Sequence, residues 1–329
     1  MKILIIGSHL YYNLEWFVDY AFKKLKHETF FFGYREYLKY PTITRLLVTR
    51  SNMLRSIMHI ISIDKINEKL IRYALNIMPD IIFVCKGEFI NPKILDNISK
   101  EVSAKTVLWF PDDPRFFDTI VKNIVYAFDL AICSSPKMID KYKEVGANYA
   151  IYLPFACEPD IHKPMQLTDN EEEKYRSDIC FVGTYYPRRG KVIKQLMENG
   201  YNVKVYGPYW KNADPIYGID MVKAFNASKI VLNIHIESDL EHKPNMRTFE
   251  VTGSSSFLLT DYAYGLEKQF VIDKELVVYN DIKELLELAK YHLSNDEERN
   301  KIRINGHERA YRDHKYEDRL KTILACLRL

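Results

Sequence analysis

An arginine and a glutamate stand one helical turn apart in the stretch "KPNMRTFEVTGSSSFLLTD", residues 243–261. If this stretch is a helix, Asn245 suits its N-cap, Gly253 suits its end, and Arg247 and Glu250 share one face. A helix N-terminus attracts phosphate, and an arginine can add a bidentate contact. An ionised glutamate only accepts hydrogen bonds, so it suits a ribose diol. The pattern predicts a nucleoside diphosphate site, although a surface ion pair explains the same spacing.

Polar residues on either side of this pair extend the predicted site. Lys243 precedes the helix and can add positive charge. Ser254 and Ser255 can supply hydroxyl and N–H groups to phosphate, or they can form a polar turn. Asn233 ends the apolar run "IVLNIH" and is predicted to contact the donor or to support the structure.

Short apolar runs alternate with helical patterns along the whole chain. Six runs occupy the first half: "KILIIG", "HETFFFG", "PDIIFVCKG", "AKTVLWFPDDP", "FDLAICSSP" and "YAIYLPFAC". Five occupy the second half: "DICFVG", "YNVKVYG", "IVLNIH", "SFLLTD" and "VIDKELVVYN". Because the runs are continuously apolar, they predict parallel sheets covered on both faces, as in Rossmann-like domains.

The length of 329 residues suits two domains. The polar, acidic stretch 158–177 predicts a linker between a Rossmann-like domain at 1–157 and a second one at 178–305, followed by a terminal helix at 306–329. Ligands bind such sheets outside the carboxyl ends of the strands. We therefore expect an α/β fold in which two parallel sheets face a central cleft.

Charge and cysteine usage restrict the partners. A net charge of +3 gives no global signal for nucleic acid. Residues 23–72 hold 11 Lys or Arg and 4 Asp or Glu, which is typical of a solvated surface or of a face for an anionic membrane or acceptor.

Five cysteines without a CxxC spacing indicate reduced thiols. Because no apolar run suits a signal peptide or a membrane span, we expect a cytoplasmic protein, with peripheral contact at the inner face of the membrane through 23–72.

Several segments, in order, resemble the CgeB-like, glycosyltransferase family 1-like proteins of GT-B fold. In the second half these are "DICFVGTYYPRRGKVIKQL", "VKVYGPYW", "AFNASKIVLNIH", "NMRTFEVTGSSSFLLTD" and "NGHERAYRDHKYEDRLKTIL". In the first half "VLWFPDDP" and "LPFACEPDIHKP" resemble the family more loosely. The resemblance implies transfer of a sugar from a nucleotide-sugar donor, above all a UDP-sugar, to a glycan, lipid-linked or protein acceptor. It also implies a C-terminal helix that returns toward the N-terminal domain.

The resemblance assigns roles in donor binding to residues of the second half. Glu250 matches the carboxylate that binds the donor ribose. The positions expected to face the diphosphate are Gly183, Arg188, Arg189 and Arg247, and those expected near the base are Tyr206 and Gly207. Many retaining relatives carry a second glutamate eight residues before the position of Glu250, where this chain has His242. The stereochemical outcome therefore stays open.

Sugar transfer requires stabilisation of the leaving diphosphate, and Arg188, Arg189, Lys243 and Arg247 can provide it without metal. No Asp-x-Asp and no metal-ligand spacing of His and Cys is present, so we expect no metal and no cofactor. The candidates for a general base are Asp112, Asp113 and His9, which follow predicted strands, as does Glu88. "PDDP" can equally be a turn, and His9 a packed or solvated histidine.

Two other functions fit the same architecture. A sugar-nucleotide epimerase of this shape would bind the same nucleotide but need no acceptor. A non-catalytic protein of coat or surface assembly could keep the two-domain shell. A dinucleotide oxidoreductase is disfavoured, because "GSHLYYN" after the first run lacks the second and third glycines of G-x-G-x-x-G.

Overall fold

A computed structural model describes residues 1–8, 10–37, 52–236 and 243–329; the side chains of residues 52–62 lie outside this description. The chain divides into two compact units. The first comprises Met1–Leu153 and Leu320–Leu329, and the second comprises Pro154–Arg319.

The first unit contains a parallel sheet of six strands in the order β2-β1-β3-β4-β5-β6. The strands are β1 (Lys2–Gly7), β2 (Glu28–Gly33), β3 (Ile81–Cys85), β4 (Lys105–Phe110), β5 (Leu130–Cys133) and β6 (Ala150–Tyr152). All six correspond to the predicted apolar runs. Every residue of β3 and β5 is buried, as expected for strands that are covered on both faces.

The helices of the first unit include α1 (Leu14–Lys24), α2 (Asn52–Ile77), α3 (Pro92–Glu101) and α4 (Met138–Glu144), with short helical turns between Phe117 and Ala127. The sequence sets the start of α3, since Asn91 caps it by accepting from the Lys93 N–H at 3.0 Å and proline stands at its first position. These helices pack on the sheet through one apolar core that includes Leu4, Val84 and Leu108.

The second unit contains a parallel sheet of five strands in the order β11-β10-β9-β7-β8. The strands are β7 (Ser177–Val182), β8 (Val203–Tyr206), β9 (Ser228–Asn233), β10 (Leu258–Asp261) and β11 (Val277–Tyr279). The five predicted runs are again confirmed. β7 pairs with β8 on one side and with β9 on the other, so the switch point of the sheet lies between β7 and β9.

Helices of the second unit connect these strands. They are α5 (Asp169–Tyr175), α6 (Pro187–Glu198), α7 (Gly218–Asn226), α8 (Met246–Gly253), α9 (Ile282–Ser294) and α10 (Asp296–Asp313). The last helix, α11 (Tyr316–Cys326), begins in the second unit and ends in the first. The predicted return of the C-terminal helix to the N-terminal domain agrees with this division.

The segment 158–177, predicted to be a linker, lies inside the second unit. It contains α5, which begins with a reciprocal capping box between Thr168 and Glu171. It also contains Glu158 and His162, which are fully buried. Acidic composition and prolines suggested a linker, but the capping pattern T-x-x-E marked a helix start.

Two findings bear on the predicted surroundings of the protein. Among the described residues no helix is long and apolar enough to cross a membrane. The five cysteines form no disulfide, and all but Cys326 are buried. The basic region 23–72 falls partly outside the described residues, so its contact with a membrane stays a prediction.

Candidate functional site

Two asparagines fix the amino end of α8 at the carboxyl edge of the second sheet. The Asn245 side chain caps the helix, as predicted, by accepting from the Thr248 N–H at 3.3 Å. Its amide also exchanges hydrogen bonds of 3.0 and 3.3 Å with the amide of Asn233, the last residue of β9. Asn233 in turn donates to the Thr260 hydroxyl on β10 at 3.1 Å. The first N–H groups of α8 have no helical acceptor, so this edge offers them to an anion.

Arg247 lies at the switch point of the sheet. Its Nε donates to the carbonyl of Val182, the last residue of β7, at 3.2 Å. The guanidinium lies 5.4 Å from the centre of the Phe225 ring and contacts the sulfur of Met221. The side chain is 20% exposed, so part of the guanidinium can reach a ligand.

Arg247 and Glu250 form the ion pair that their spacing allowed. Arg247 Nη1 donates to Glu250 Oε2 at 2.5 Å. The pair is not a weak surface contact, because Glu250 is 4% exposed. Burial raises the pKa of Glu250, and the neighbouring Arg247 opposes that rise. Removal of either partner of such a desolvated ion pair would leave the other charge buried and uncompensated.

His162 adds a third group to this pair, from a segment that the sequence assigned to a linker. Its Nε2 lies 3.9 Å from Glu250 Oε1, and the imidazole is fully buried. Burial, with a smaller contribution from Arg247, lowers the pKa of His162 to about 3. The imidazole is therefore neutral near pH 7, and its contact with Glu250 is not an ion pair.

Two glycines let the loops after β7 and β8 approach each other closely. Gly207 has a φ of +143°, and a Cβ there would lie 2.2 Å from the carbonyl oxygen of Gly183. The Gly183 N–H donates to the Tyr206 carbonyl at 2.8 Å, and the Trp210 indole donates to the Gly183 carbonyl at 2.8 Å. Tyr206 itself packs against Tyr175, with 6.2 Å between ring centres. The two predicted glycines are thus neighbours. The contact of Trp210 with Gly183 was not predicted from the sequence.

Arg188 and Arg189, at the start of α6, bind groups of the protein itself. Arg188 Nη1 donates to Asp261 and to the carbonyl of His235, each at 2.7 Å. Arg189 donates to the carbonyls of Ile234 at 2.8 Å and of Thr184 at 2.9 Å, and it is 8% exposed. Arg189 therefore supports the loops of this edge, whereas the Arg188 side chain is 31% exposed and remains open to a ligand.

A histidine–aspartate pair lies beside Arg188. His235 Nδ1 is 2.6 Å from Asp261 Oδ1, and the His235 N–H also donates to this carboxylate at 3.1 Å. Burial alone would raise the pKa of Asp261, but His235 and then Arg188 outweigh it and lower that pKa. Asp261 was missed in the sequence, although its position at the end of an apolar strand is typical of functional residues in such sheets.

Lys243, Ser254 and Ser255, which were also predicted to bind the donor, do not lie together in the structure. Lys243 is 9% exposed, and its ammonium lies 5.2 Å from the Phe155 ring. Ser254 and Ser255 follow the carboxyl end of α8 and lie at the opposite, amino edge of the sheet, where Ser255 accepts from Arg303 at 3.2 Å. A helix that connects parallel strands carries its end away from the carboxyl edge, so this position favours the polar turn over the predicted phosphate contact, which stays a prediction.

The first sheet also presents charged groups at its carboxyl edge. Lys86, after β3, lies 3.1 Å from Asp112 and 3.3 Å from Glu88. Burial lowers the pKa of Lys86, but the two carboxylates outweigh it and raise that pKa. Tyr34 donates to Glu88 at 3.1 Å. The Asp112 side chain is 39% exposed, so it is accessible to a ligand.

Asp113, although adjacent in sequence, is enclosed. It is 5% exposed and accepts from the Tyr142 hydroxyl at 3.0 Å and from the Ser134 N–H at 3.0 Å. These contacts favour a structural role for Asp113, and its expected role as a base stays a prediction. His9, the other candidate, lies outside the described residues. Among the described residues no group of three or more His, Cys, Asp or Glu is placed to hold a metal ion.

Comparison with known proteins agrees with this architecture. Residues 188–325 match the family described as glycosyl transferase-like. Over 219 residues the chain is 23% identical to the spore protein CgeB of Bacillus subtilis. The aligned region covers 59% of this chain and 66% of CgeB, just under two thirds of the length of CgeB. The resemblance stated from the sequence is confirmed.

Solved structures share the fold over nearly the whole chain. Sucrose-phosphate synthase of Thermosynechococcus elongatus superposes with a TM-score of 0.65 at 10% identity and covers 99% of this chain and 98% of its own. HepE of Anabaena, in complex with UDP-glucose, gives 0.64 at 11% identity and 99% of both chains. A UDP-forming trehalose-phosphate synthase of Burkholderia xenovorans gives 0.65 at 14% identity, with 99% and 98% covered. The chain therefore shares the GT-B fold of these structures.

Proposed function

We propose that this protein transfers a sugar from a UDP-sugar to an acceptor hydroxyl, and that the donor binds at the carboxyl edge of the second sheet. The observation that carries the proposal is the amino end of α8, held at this edge by the Asn233–Asn245 amide pair with Arg247 beside it. Structural relatives that bind UDP or UDP-glucose support the choice of donor.

The diphosphate is assigned to the cationic and N–H groups of this edge. The free N–H groups at the start of α8 and the exposed parts of Arg247 and Arg188 supply donors and positive charge. Such preorganised groups stabilise the charge that builds up on the leaving diphosphate. This arrangement supports a metal-independent reaction, in which EDTA leaves the rate unchanged.

The ribose is assigned to Glu250. In the structure its carboxylate is satisfied by Arg247, with His162 nearby. A bound diphosphate would compete for the guanidinium, and the two ribose hydroxyls would then provide replacement donors for the buried carboxylate. Glu250 thus links recognition of the nucleoside to the position of Arg247.

Asp112 is assigned as the general base that takes the proton of the acceptor hydroxyl. Asp112 is the exposed carboxylate of the "PDDP" turn, whereas Asp113 is enclosed. The Lys86 ammonium lies 3.1 Å from the Asp112 carboxylate and orients it, and a carboxylate is a suitable acceptor for the proton of a hydroxyl. A glycan, a lipid-linked sugar or a protein side chain would each present a suitable hydroxyl.

The activity is tested by incubating the purified protein with radiolabelled UDP-glucose, UDP-N-acetylglucosamine or UDP-galactose and a membrane and cell-wall extract. We expect acceptor-dependent UDP release together with label in a larger product, and no loss of either in EDTA. Label that stays in a nucleotide sugar of altered configuration would identify an epimerase. No turnover and no nucleotide binding would favour the non-catalytic shell and contradict the proposal.

A further inference from the structure

A second cavity lies at the amino edge of the second sheet, away from the proposed donor site. It has a volume of about 710 Å³ and is bounded by the starts of β7 and β9, by the turn after α8 and by α10. A volume in the range of ~300–1,000 Å³ suits a small-molecule ligand. All of its lining residues belong to the second unit and to the described part of the chain.

The cavity carries an excess of positive charge. Its lining includes four cationic side chains and two carboxylates. The cations are Arg176, Lys229, Arg299 and Arg303, and the carboxylates are Glu172 and Asp178.

Two of the cations are already paired. Arg176 lies 3.8 Å from Glu172, and Arg299, which is 8% exposed, donates to Asp296 at 2.6 Å. Asp296 is exposed and does not line the cavity; Arg299 lowers its pKa most, and Lys229 lowers it further. The two paired arginines still contribute N–H donors and positive charge to the wall of the cavity.

The other two cations are open to a ligand. Lys229 and Arg303 have no ion pair within 4.0 Å to a carboxylate among the residues that the structure describes. Arg303 uses Nε for the Asn300 side chain at 2.8 Å and Nη1 for the Ser255 carbonyl at 3.1 Å. These contacts orient the guanidinium and involve neutral acceptors only, so its charge is not neutralised locally.

Neutral hydrogen-bonding groups complete the wall. The hydroxyls of Ser177 and Ser228 lie 2.9 Å apart, and the Asn226 amide donates to Ser256 at 2.8 Å. Phe225 and Phe257 add an apolar side. Arginine forks and hydroxyls suit the tetrahedral oxygens of phosphate, and the apolar side leaves room for the body of a small molecule.

We propose that this cavity is a binding site for a small phosphate-bearing molecule, distinct from the donor site. The helix α8, with eight residues and a length of about 12 Å, separates the two edges. The proposal does not depend on the transferase activity, because none of its cationic residues is assigned to the donor.

Calorimetric titration with pyrophosphate, at constant ionic strength in sodium chloride, tests the site. Every protein in this test, including the reference called wild type below, carries Arg247→Ala, which weakens the proposed diphosphate site at the other edge. The variants are Lys229→Ala, Arg303→Gln and the combination of the two. Lys301→Ala is the matched control, because Lys301 is an exposed cation on the same helix as Arg303 but does not line the cavity. Unfolding temperatures of all variants show whether each one folds, and Lys229→Ala removes only a surface charge.

We expect the wild type and Lys301→Ala to bind alike, and the double variant to bind about tenfold or more weakly, since two charge-assisted contacts are lost. Arg303→Lys should recover part of the loss. Absence of binding to the wild type, or equal binding by the folded double variant, would overturn the proposal. An equal loss in Lys301→Ala would indicate unspecific charge attraction and would overturn it as well.

Discussion

The carboxyl edges of the two sheets carry similar residue types in opposite environments. At the second sheet, Glu250 and Asp261 are 4% and 6% exposed, and both are paired with arginines. At the first sheet, Asp112 is 39% exposed and shares one lysine with Glu88. A buried, paired edge holds its charges in place before a ligand arrives, whereas an exposed edge can adapt to different ligands.

This difference corresponds to the two substrates that we propose. A nucleotide diphosphate is a constant ligand, and preorganised charges suit it. The proposed acceptors, a glycan, a lipid-linked sugar or a protein, differ in shape, and an exposed carboxylate can serve any hydroxyl brought near it. The contrast predicts that substitutions at the two edges will affect different steps.

The largest effect is expected at the first edge. Asp112→Asn removes the proposed base, so the transfer rate should fall by about 10²–10⁴-fold, the range for general base catalysis, while UDP binding is unchanged. The measurement is steady-state transfer alongside calorimetry.

Asp113→Asn is the matched control for Asp112. It alters a buried carboxylate that the Tyr142 hydroxyl and the Ser134 N–H bind, so it should lower the free energy of unfolding by about 1–3 kcal/mol. Equal rates for Asp112→Asn and the wild type would remove Asp112 from the mechanism.

At the second edge, Arg247→Ala should lower the transfer rate by about 10²–10³-fold, the loss seen when one donor to a developing charge is removed. UDP should bind more weakly, while uridine, which lacks the diphosphate, should bind nearly as before. Arg247→Lys keeps the charge and should recover part of the rate. If both variants lose uridine binding together with the fold, Arg247 serves the structure alone.

Stability should depend on pH through the buried histidines of the second unit. Burial lowers the pKa of His162 to about 3 and that of His314 to about 4, both below the unfolded value of 6.5. The unfolded chain therefore binds more protons below pH 6.5, and stability falls as the pH decreases toward 4, by up to about 1.4 kcal/mol per pH unit for each histidine. Urea unfolding at pH 7, 6 and 5 measures the slope, which His162→Gln should reduce. A slope equal to that of the wild type would contradict the neutral state of His162.

The smallest effect is expected at the amino edge of the second sheet. Ser255→Ala removes one hydrogen bond from Arg303, worth about 1 kcal/mol, and leaves UDP affinity unchanged because it lies at the end of α8 away from the donor. A clear loss of UDP affinity would return Ser255 to the donor site.

The strands and the cap of α8 could be predicted because they depend on local patterns. Continuous apolar runs identified all eleven strands, and Asn245 identified the start of the helix. The contacts of His162 with Glu250 and of Arg188 with Asp261 could not be predicted, because they join residues 88 and 73 positions apart. The position of Ser254 and Ser255 at the amino edge could not be predicted while the whole stretch was treated as one site, because a helix carries its two ends to opposite edges.

Donor binding at the carboxyl edge of the second sheet is proposed to depend on Glu250 and its neighbours. Calorimetric titration of UDP, GDP, dTDP, ADP and CMP against the wild type and Glu250→Ala is the decisive experiment. We predict that the wild type binds UDP and that the variant binds it about 1–3 kcal/mol more weakly, since the ribose hydroxyls lose their buried acceptor. Thermal unfolding of the variant verifies its fold. Equal UDP affinity of the folded variant and the wild type would contradict the ribose assignment, and absence of binding by the wild type would contradict the donor site itself.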